Sequence, residues 1–128
     1  MARDSILTCL EEIGNADPTE AVFAILFAEQ PELKFVFGLD RSGGVRRAML
    51  QNCFEIIVDY ASSGSVYANQ LLGIYYNHAA YETTRIQFLS FFAVIGQWLE
   101  QSDTALWQAA RAPWLEMEEE FARLIPES

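Results

Sequence analysis

The sequence predicts an all-α protein of about six to eight helices. Apolar residues recur at steps of three and four along most of the chain, which is the spacing of one helical face. No stretch alternates apolar and polar residues in the manner of a half-buried strand. The chain has 128 residues, of which 52% are hydrophobic, so it can form one core and has the size of one ordinary domain. We therefore expect residues 1–128 to form a single domain.

Two helices are predicted before residue 30. A short first helix covers residues 5–13. The second begins at a clear signal: Asp17 is a capping side chain, Pro18 takes the first helical position, and Glu20 follows three residues after the cap. This second helix, residues 18–29, is apolar nearly all round, so neighbouring elements must cover it on most sides.

The middle of the chain is predicted to hold a short third helix, a short loop and two longer helices. Residues 31–37 form the short helix, and residues 38–44 form the loop. Apolar residues at helical spacing then predict a helix over Gly44–Ala61. A serine-rich turn ends it, and Ser65 is expected to cap the fifth helix.

The last part of the chain is predicted to form two more helices. Residues 85–100 are dense in aromatic residues, and Ser102 and Asp103 are expected to cap the final segment. Apolar residues stay in phase past Pro113, which predicts one kinked helix. The helical spacing places three tryptophans in the core: Trp98, Trp107 and Trp114. A tryptophan that is exposed instead would indicate a homodimer interface.

The charge balance excludes two classes of partner. Eight basic residues against 18 acidic ones give a net charge of -10. Duplex nucleic acid and anionic membranes both require clustered cations, so we expect neither as a partner. No apolar run is long enough to span a bilayer and the N-terminus lacks a signal peptide's apolar stretch, which favours a cytoplasmic protein. Cys9 and Cys53 match no metal-ligand spacing and are expected to be buried free thiols.

His78, the one histidine of the sequence, is where chemistry could enter. It continues the apolar face formed by Tyr67, Leu71 and Ile74, so its ring should point inward. Two interpretations fit this position. One is a core histidine that is hydrogen-bonded to a backbone carbonyl, and the other is the axial ligand of a haem iron. Composition and periodicity leave both open.

Four segments resemble the globin family. Residues 17–37, DPTEAVFAILFAEQPELKFVF, resemble its second and third helices, and residues 46–58, RRAMLQNCFEIIV, resemble its distal helix. Residues 71–81, LLGIYYNHAAY, resemble the proximal helix with His78 in the haem-ligating place, and residues 110–121, ARAPWLEMEEEF, resemble the start of the last helix. The ordered set that carries the resemblance is Pro31, Phe37, His78 and Trp114. Within that family, the segments resemble those of single-domain bacterial haemoglobins and of the globin part of flavohaemoglobins.

The resemblance implies a globin-like fold that holds haem b and reversibly binds O2, NO or CO at iron ligated by His78. Haem is a flat apolar disc with two carboxylates, so it needs an apolar slot with cations at one rim. The residues expected to line the slot are Phe23, Phe37, Leu50, Phe54, Leu71, Ile74 and Phe88. The cations expected to bind the propionates are Arg41, Arg46, Arg47 and Arg85. An NO dioxygenase or peroxidase-like enzyme would need an external reductase, so we expect a binding protein.

Two aromatic positions and the distal position depart from the flavohaemoglobin pattern. Phe23 and Phe88 stand where those relatives carry tyrosines, so the two phenolic hydroxyls are missing. The distal polar residue falls within residues 44–47, and Arg46 is the best candidate because it lies one turn before Leu50 on the inward face. These departures keep an alternative open, in which the chain is a haem-free globin-fold sensor or protein-interaction module.

Overall fold

The computed structural model describes residues 3–13, 17–80, 83–102 and 104–126. These residues contain seven α-helices and no strand. The helices are α1 (Asp4–Ile13), α2 (Thr19–Glu29), α3 (Leu33–Val36), α4 (Gly44–Ala61), α5 (Tyr67–Ala79), α6 (Arg85–Ser102) and α7 (Ala105–Leu124). The expected all-α fold of six to eight helices is thereby confirmed. None of the helices in the described part of the chain is long and apolar enough to cross a membrane.

The helices enclose one core of aromatic and branched aliphatic side chains. α7 packs against α1, α5 and α6, while α6 also packs against α2 and α5. α4 contacts α1, α2 and α5. Trp107 and Trp114 are buried and Trp98 is half-buried, so none of the three is the exposed tryptophan that would have indicated an interface. α7 runs through Pro113 as one helix, as the phase of its apolar residues predicts.

The two cysteines are buried free thiols, as expected. Cys9 lies on α1 and Cys53 on α4. Burial raises the pKa of Cys53 to about 12, and burial together with the neighbouring charge of Glu12 raises the pKa of Cys9. Both thiols are therefore protonated at neutral pH in the folded protein.

The predicted helix caps are partly right. Asp17 caps α2: its Oδ1 accepts hydrogen bonds from the backbone N–H and the hydroxyl of Thr19. Glu20 does not return to this cap, because it pairs with Arg46 at 3.4 Å. The predicted cap of α7 is wrong where it can be checked. Thr104 caps that helix by accepting from the N–H of Trp107 at 3.0 Å, and Ser102 bonds back into α6; Asp103 lies outside the described residues.

The cap of α5 comes from the preceding helix and not from Ser65, so that prediction is also wrong. Asp59, near the end of α4, accepts hydrogen bonds from the N–H groups of Val66 at 2.9 Å and Tyr67 at 2.7 Å. Its negative charge sits at the positive end of the α5 dipole. Gly64 makes this possible, because a Cβ on Gly64 would lie 2.1 Å from Oδ1 of Asp59. One carboxylate therefore sets the angle between α4 and α5.

We expect Gly64→Ala to destabilise the protein by about 1–3 kcal/mol, because the added methyl group overlaps the Asp59 carboxylate. Asp59→Ala removes the cap and should cost about 0.5–2 kcal/mol. In the Asp59→Ala background the obstacle is gone, so Gly64→Ala should then change the free energy of unfolding by less than about 1 kcal/mol. Urea denaturation of the four proteins measures all of these values. If Gly64→Ala lowered the free energy of unfolding equally in the wild-type and Asp59→Ala backgrounds, the proposed contact between residue 64 and the Asp59 carboxylate would be wrong.

Candidate functional site

His78 lies near the end of α5 with a half-buried ring whose orientation is fixed by one hydrogen bond. Its Nδ1 is 2.8 Å from the carbonyl oxygen of Ile74, one turn earlier. A carbonyl oxygen only accepts, so Nδ1 carries the hydrogen, and in the neutral ring Nε2 keeps its lone pair. The core-histidine interpretation required such a bond. An axial ligand usually has it as well, since the partner of the second ring nitrogen fixes the tautomer and orients the ring.

Phe88, at the start of α6, forms the wall beside this imidazole. The ring centroids of His78 and Phe88 are 5.6 Å apart, and Tyr75 contacts Phe88 edge-on at 5.3 Å. His78 and Phe88 are thus in contact, and Ile74 meets His78 through its backbone carbonyl oxygen. Tyr75 is buried in the same place, a position that the apolar spacing of α5 did not assign because Leu71 and Ile74 already accounted for the inward face.

Phe23 and Phe37 belong to a second aromatic cluster. Phe23 is 1% exposed, and its ring lies 5.3 Å from the rings of both Phe37 and Phe91 and 5.7 Å from that of Phe27. This cluster joins α2, the residue that follows α3, and α6. Phe91 and Phe88 lie one turn apart on α6, so the two aromatic clusters are neighbours along that helix.

Leu50, Phe54 and Arg47 lie at a third place, on a groove of about 800 Å³ between α4 and the first residues of α2 and α5. Leu50 is buried at its floor, Phe54 is half-buried and Arg47 is exposed. A second groove, of about 480 Å³, runs between α4 and α5, and Ile74 lines it. His78 lines neither of these two grooves. Leu71 is fully buried in the core.

Arg46, the predicted distal residue, is held by two carboxylates. Its Nε lies 3.1 Å from Asp40 and its Nη1 lies 3.4 Å from Glu20. Asp40 also accepts from the backbone N–H groups of Val45 at 3.1 Å and Arg46 at 3.0 Å. Burial by itself raises the pKa of Asp40, but the hydrogen bonds from α4 and the Arg46 charge together hold it below its usual value. Arg46 and Asp40 therefore stabilise the N-terminal end of α4 together.

Arg85 is also engaged, at the other end of the molecule. Its Nη2 donates to the carbonyl oxygen of Ala122 at 2.6 Å, and its Nε donates to that of Ile125 at 3.3 Å. A cation is favourable there because α7 ends with unpaired carbonyl groups and the negative end of its dipole. Arg41 and Arg47 are exposed. The hydrogen bonds from Thr19 and the charge of Arg47 lower the pKa of Asp17. Of the four arginines predicted at a haem rim, Arg46 and Arg85 would have to leave existing partners.

The predicted lining residues fit haem on the iron side only. His78, Ile74 and Phe88 supply an oriented imidazole with apolar neighbours. The other predicted lining residues lie at two separate places. Phe23 and Phe37 pack against each other in one aromatic cluster, whereas Leu50 and Phe54 line the groove along α4. This structure does not join the two places into one slot. Across the described ranges no group of three or more His, Cys, Asp or Glu side chains is placed to hold a metal ion. A haem iron requires just one protein ligand.

Sequence reasoning missed Asp40 and Asp59, the two carboxylates that hold the ends of the α4 region. Asp40 had a usable signal, since an aspartate shortly before a glycine-rich helix start is a typical cap. Asp59 had none, because its partners follow it by seven and eight residues across a turn.

The lowered pKa of Asp40 predicts a pH dependence of stability. A carboxyl group whose pKa is lower in the folded state contributes stability above its unfolded value, and this stability is lost as the pH falls through the folded value. Asp40→Asn should therefore be less stable than the wild type at pH 7, and the difference should shrink as the pH falls below about 4. Urea denaturation between pH 3 and pH 7 measures this. A difference that is independent of pH would show that the carboxylate charge is not what holds α4.

Comparisons of this chain with protein-family models, with curated proteins and with solved structures found no match.

Proposed function

We propose that this chain binds haem b through Nε2 of His78 and that the haem reversibly binds a diatomic gas. The proposal rests on the globin-like order of Pro31, Phe37, His78 and Trp114 in the sequence. The hydrogen bond from Nδ1 of His78 to the carbonyl oxygen of Ile74 is one that a core histidine makes as well. It leaves Nε2 with its lone pair and fixes the ring's rotation, as an iron ligand requires.

The surroundings of His78 suit an iron ligand that is shielded from water on one side. Phe88 packs beside the ring, and Tyr75 packs against Phe88 in turn. The half-buried ring remains reachable from outside. When bound, haem supplies the open iron position at which O2, NO or CO binds.

The chain's own residues offer little hydrogen bonding to a gas ligand. Phe23 carries no hydroxyl, and the Arg46 guanidinium is held by Asp40 and Glu20. A charge-assisted hydrogen bond contributes roughly 1.5–3 kcal/mol, so its absence favours fast O2 release more than fast CO release. The proposed function is therefore gas binding with weak discrimination by polar contacts.

Replacing His78 tests the ligand directly. His78→Gly should fold, but after hemin is added its spectrum should lack the sharp Soret band of the histidine-ligated haem and match that of free hemin, because the iron loses its protein ligand. Free imidazole should restore the band by occupying the vacated position. Absorption spectra of the wild type and the variant, with and without imidazole, measure both effects.

Asn77→Ala is the matched control, since it alters the exposed neighbour of His78 on the same helix. Its spectrum should equal that of the wild type. A Soret band that is unchanged in His78→Gly would overturn the assignment of His78, and far-UV circular dichroism of each variant establishes that it is folded.

The rim arginines give a second test. If exposed Arg41 and Arg47 bind the propionates, the double variant Arg41→Gln/Arg47→Gln should lose haem about three- to tenfold faster at low ionic strength. The gap should narrow at high salt because exposed charge pairs are screened. Transfer of haem to an excess of an apoprotein acceptor measures the rate. The control is Arg111→Gln/Arg123→Gln, which changes the net charge equally on α7, and equal acceleration in both variants would rule out the rim assignment.

The second candidate function is a haem-free interaction module with this fold. It is favoured by the separation of the predicted lining residues and by the groove of about 800 Å³ that His78 does not line. One absorption spectrum, taken after hemin is added to the wild type, distinguishes the two candidates. A haem-binding chain would show the spectrum of histidine-ligated haem, and a haem-free module would show that of free hemin.

A further inference from the structure

An apolar patch lies uncovered on α3 and the turn that follows it. Phe35 is 87% exposed, Val36 is 71% exposed and Leu39 is 94% exposed. We call these three residues the α3 patch. Single exposed apolar residues are ordinary, but three large ones within five residues, on a helix of a single turn, indicate a surface that another molecule covers.

A complementary concave surface exists on the same chain. The groove of about 800 Å³ along α4, called here the α4 groove, has an apolar floor and edge and a polar rim. Its apolar lining residues are Pro18, Leu50, Phe54, Val58 and Val66. Val58 and Val66 are 42% and 51% exposed, so two branched side chains at its edge are uncovered as well. A short apolar segment inserted there would bury both surfaces.

The charges beside the two surfaces differ in sign, although the whole chain is acidic. Beside the α3 patch, exposed Lys34 and Arg41 outnumber exposed Glu32. On the α4 groove, the carboxylates of Asp17, Glu55 and Asp59 outnumber the one cation, Arg47. Two copies with a net charge of -10 repel each other at long range, and contact between these two surfaces is the orientation that reduces this repulsion.

The α3 patch does not fill the α4 groove of its own molecule. Phe35, Val36 and Leu39 are 87%, 71% and 94% exposed, and none of them lines the groove. Asp40, which follows the patch, binds Arg46 near the start of α4, so the patch is anchored beside the groove of its own molecule and not in it. A second copy of this chain supplies both halves of the contact.

We propose that two copies associate about a two-fold axis, with the α3 patch of each copy seated in the α4 groove of the other. A two-fold arrangement forms both contacts at once and closes the assembly, whereas a single repeated contact would extend into a fibre. His78 belongs to neither surface. Arg41 beside the patch and Leu50, Phe54 and Arg47 in the groove are also residues expected to bind haem, so the association is tested on the protein without added hemin.

Sedimentation velocity over about 1–100 μM protein tests the proposal, a range in which interfaces of ordinary size are populated. The wild type should move to twice the monomer mass of 14.5 kDa as the concentration rises. Leu39→Glu in the patch and Val58→Glu in the groove should each shift the midpoint at least tenfold upward. Leu115→Glu is the matched control, because Leu115 is 54% exposed on α7 outside both surfaces, and it should dimerise like the wild type.

Mixing the two disrupted variants gives a sharper test. Leu39→Glu keeps an intact groove and Val58→Glu keeps an intact patch, so a mixed pair retains one of its two contacts. The mixture should therefore associate at lower concentration than either variant alone. Each variant's far-UV circular dichroism must match that of the wild type.

Several results would overturn the proposal. They are a wild type that stays monomeric, a dimer that survives either glutamate variant, species that grow beyond a dimer, and a mixture that associates no better than its components. A basic peptide or another protein would be the occupant of the groove only in the first case, and the haem proposal would stand or fall separately on the His78 spectra.

Discussion

The packing of α6 against α7 depends on the absence of a side chain at Gly96. A Cβ there would lie 2.6 Å from Nε1 of Trp114, which is 1% exposed. Because no side chain intervenes, the large indole can lie against the α6 backbone. The other helices depend on this contact: α7 supports α1 and α5, and α6 supports α2 and α5. Phe88 and Phe91 project from the same α6, so the wall beside His78 and the cluster around Phe23 share one support.

The cations of this acidic chain mostly have structural partners. Arg46 locks the start of α4 and Arg85 caps the end of α7. Arg111 binds Glu100, where the hydrogen bond from the Trp107 indole and the Arg111 charge lower the pKa of that carboxyl. With eight cations against 18 acids, the fold therefore leaves few positive charges for a ligand. Any anionic group that binds must compete with carboxylates and helix ends, which places Arg41 and Arg47 first among candidates for a rim.

The periodicity of apolar residues predicted the helices well, because the apolar face of a helix is formed by residues that are close together in the sequence. The bounds of α4 were predicted as observed. On α5 the spacing placed Leu71 correctly in the core, but Ile74 and His78 are half-buried and the buried Tyr75 was not assigned. The partners of the charged residues could not be predicted in the same way. Arg85 binds carbonyl groups 37 and 40 residues later, and these contacts exist only after α6 and α7 have packed. The grooves likewise arise from helix packing and leave no pattern in the sequence.

Because Cys9 and Cys53 are buried, the reaction rate of each thiol reports how often the helix that carries it opens to solvent. A thiol-labelling reagent reacts with the thiolate, so each cysteine reacts at neutral pH only when its helix opens to solvent. Cys9 lies on α1 and Cys53 on α4, and the pKa of Cys53, about 12, suppresses reaction in the closed state. The two labelling rates thus separate the undocking of α1 from α7 from the opening of α4. No residue has to be introduced to follow either event.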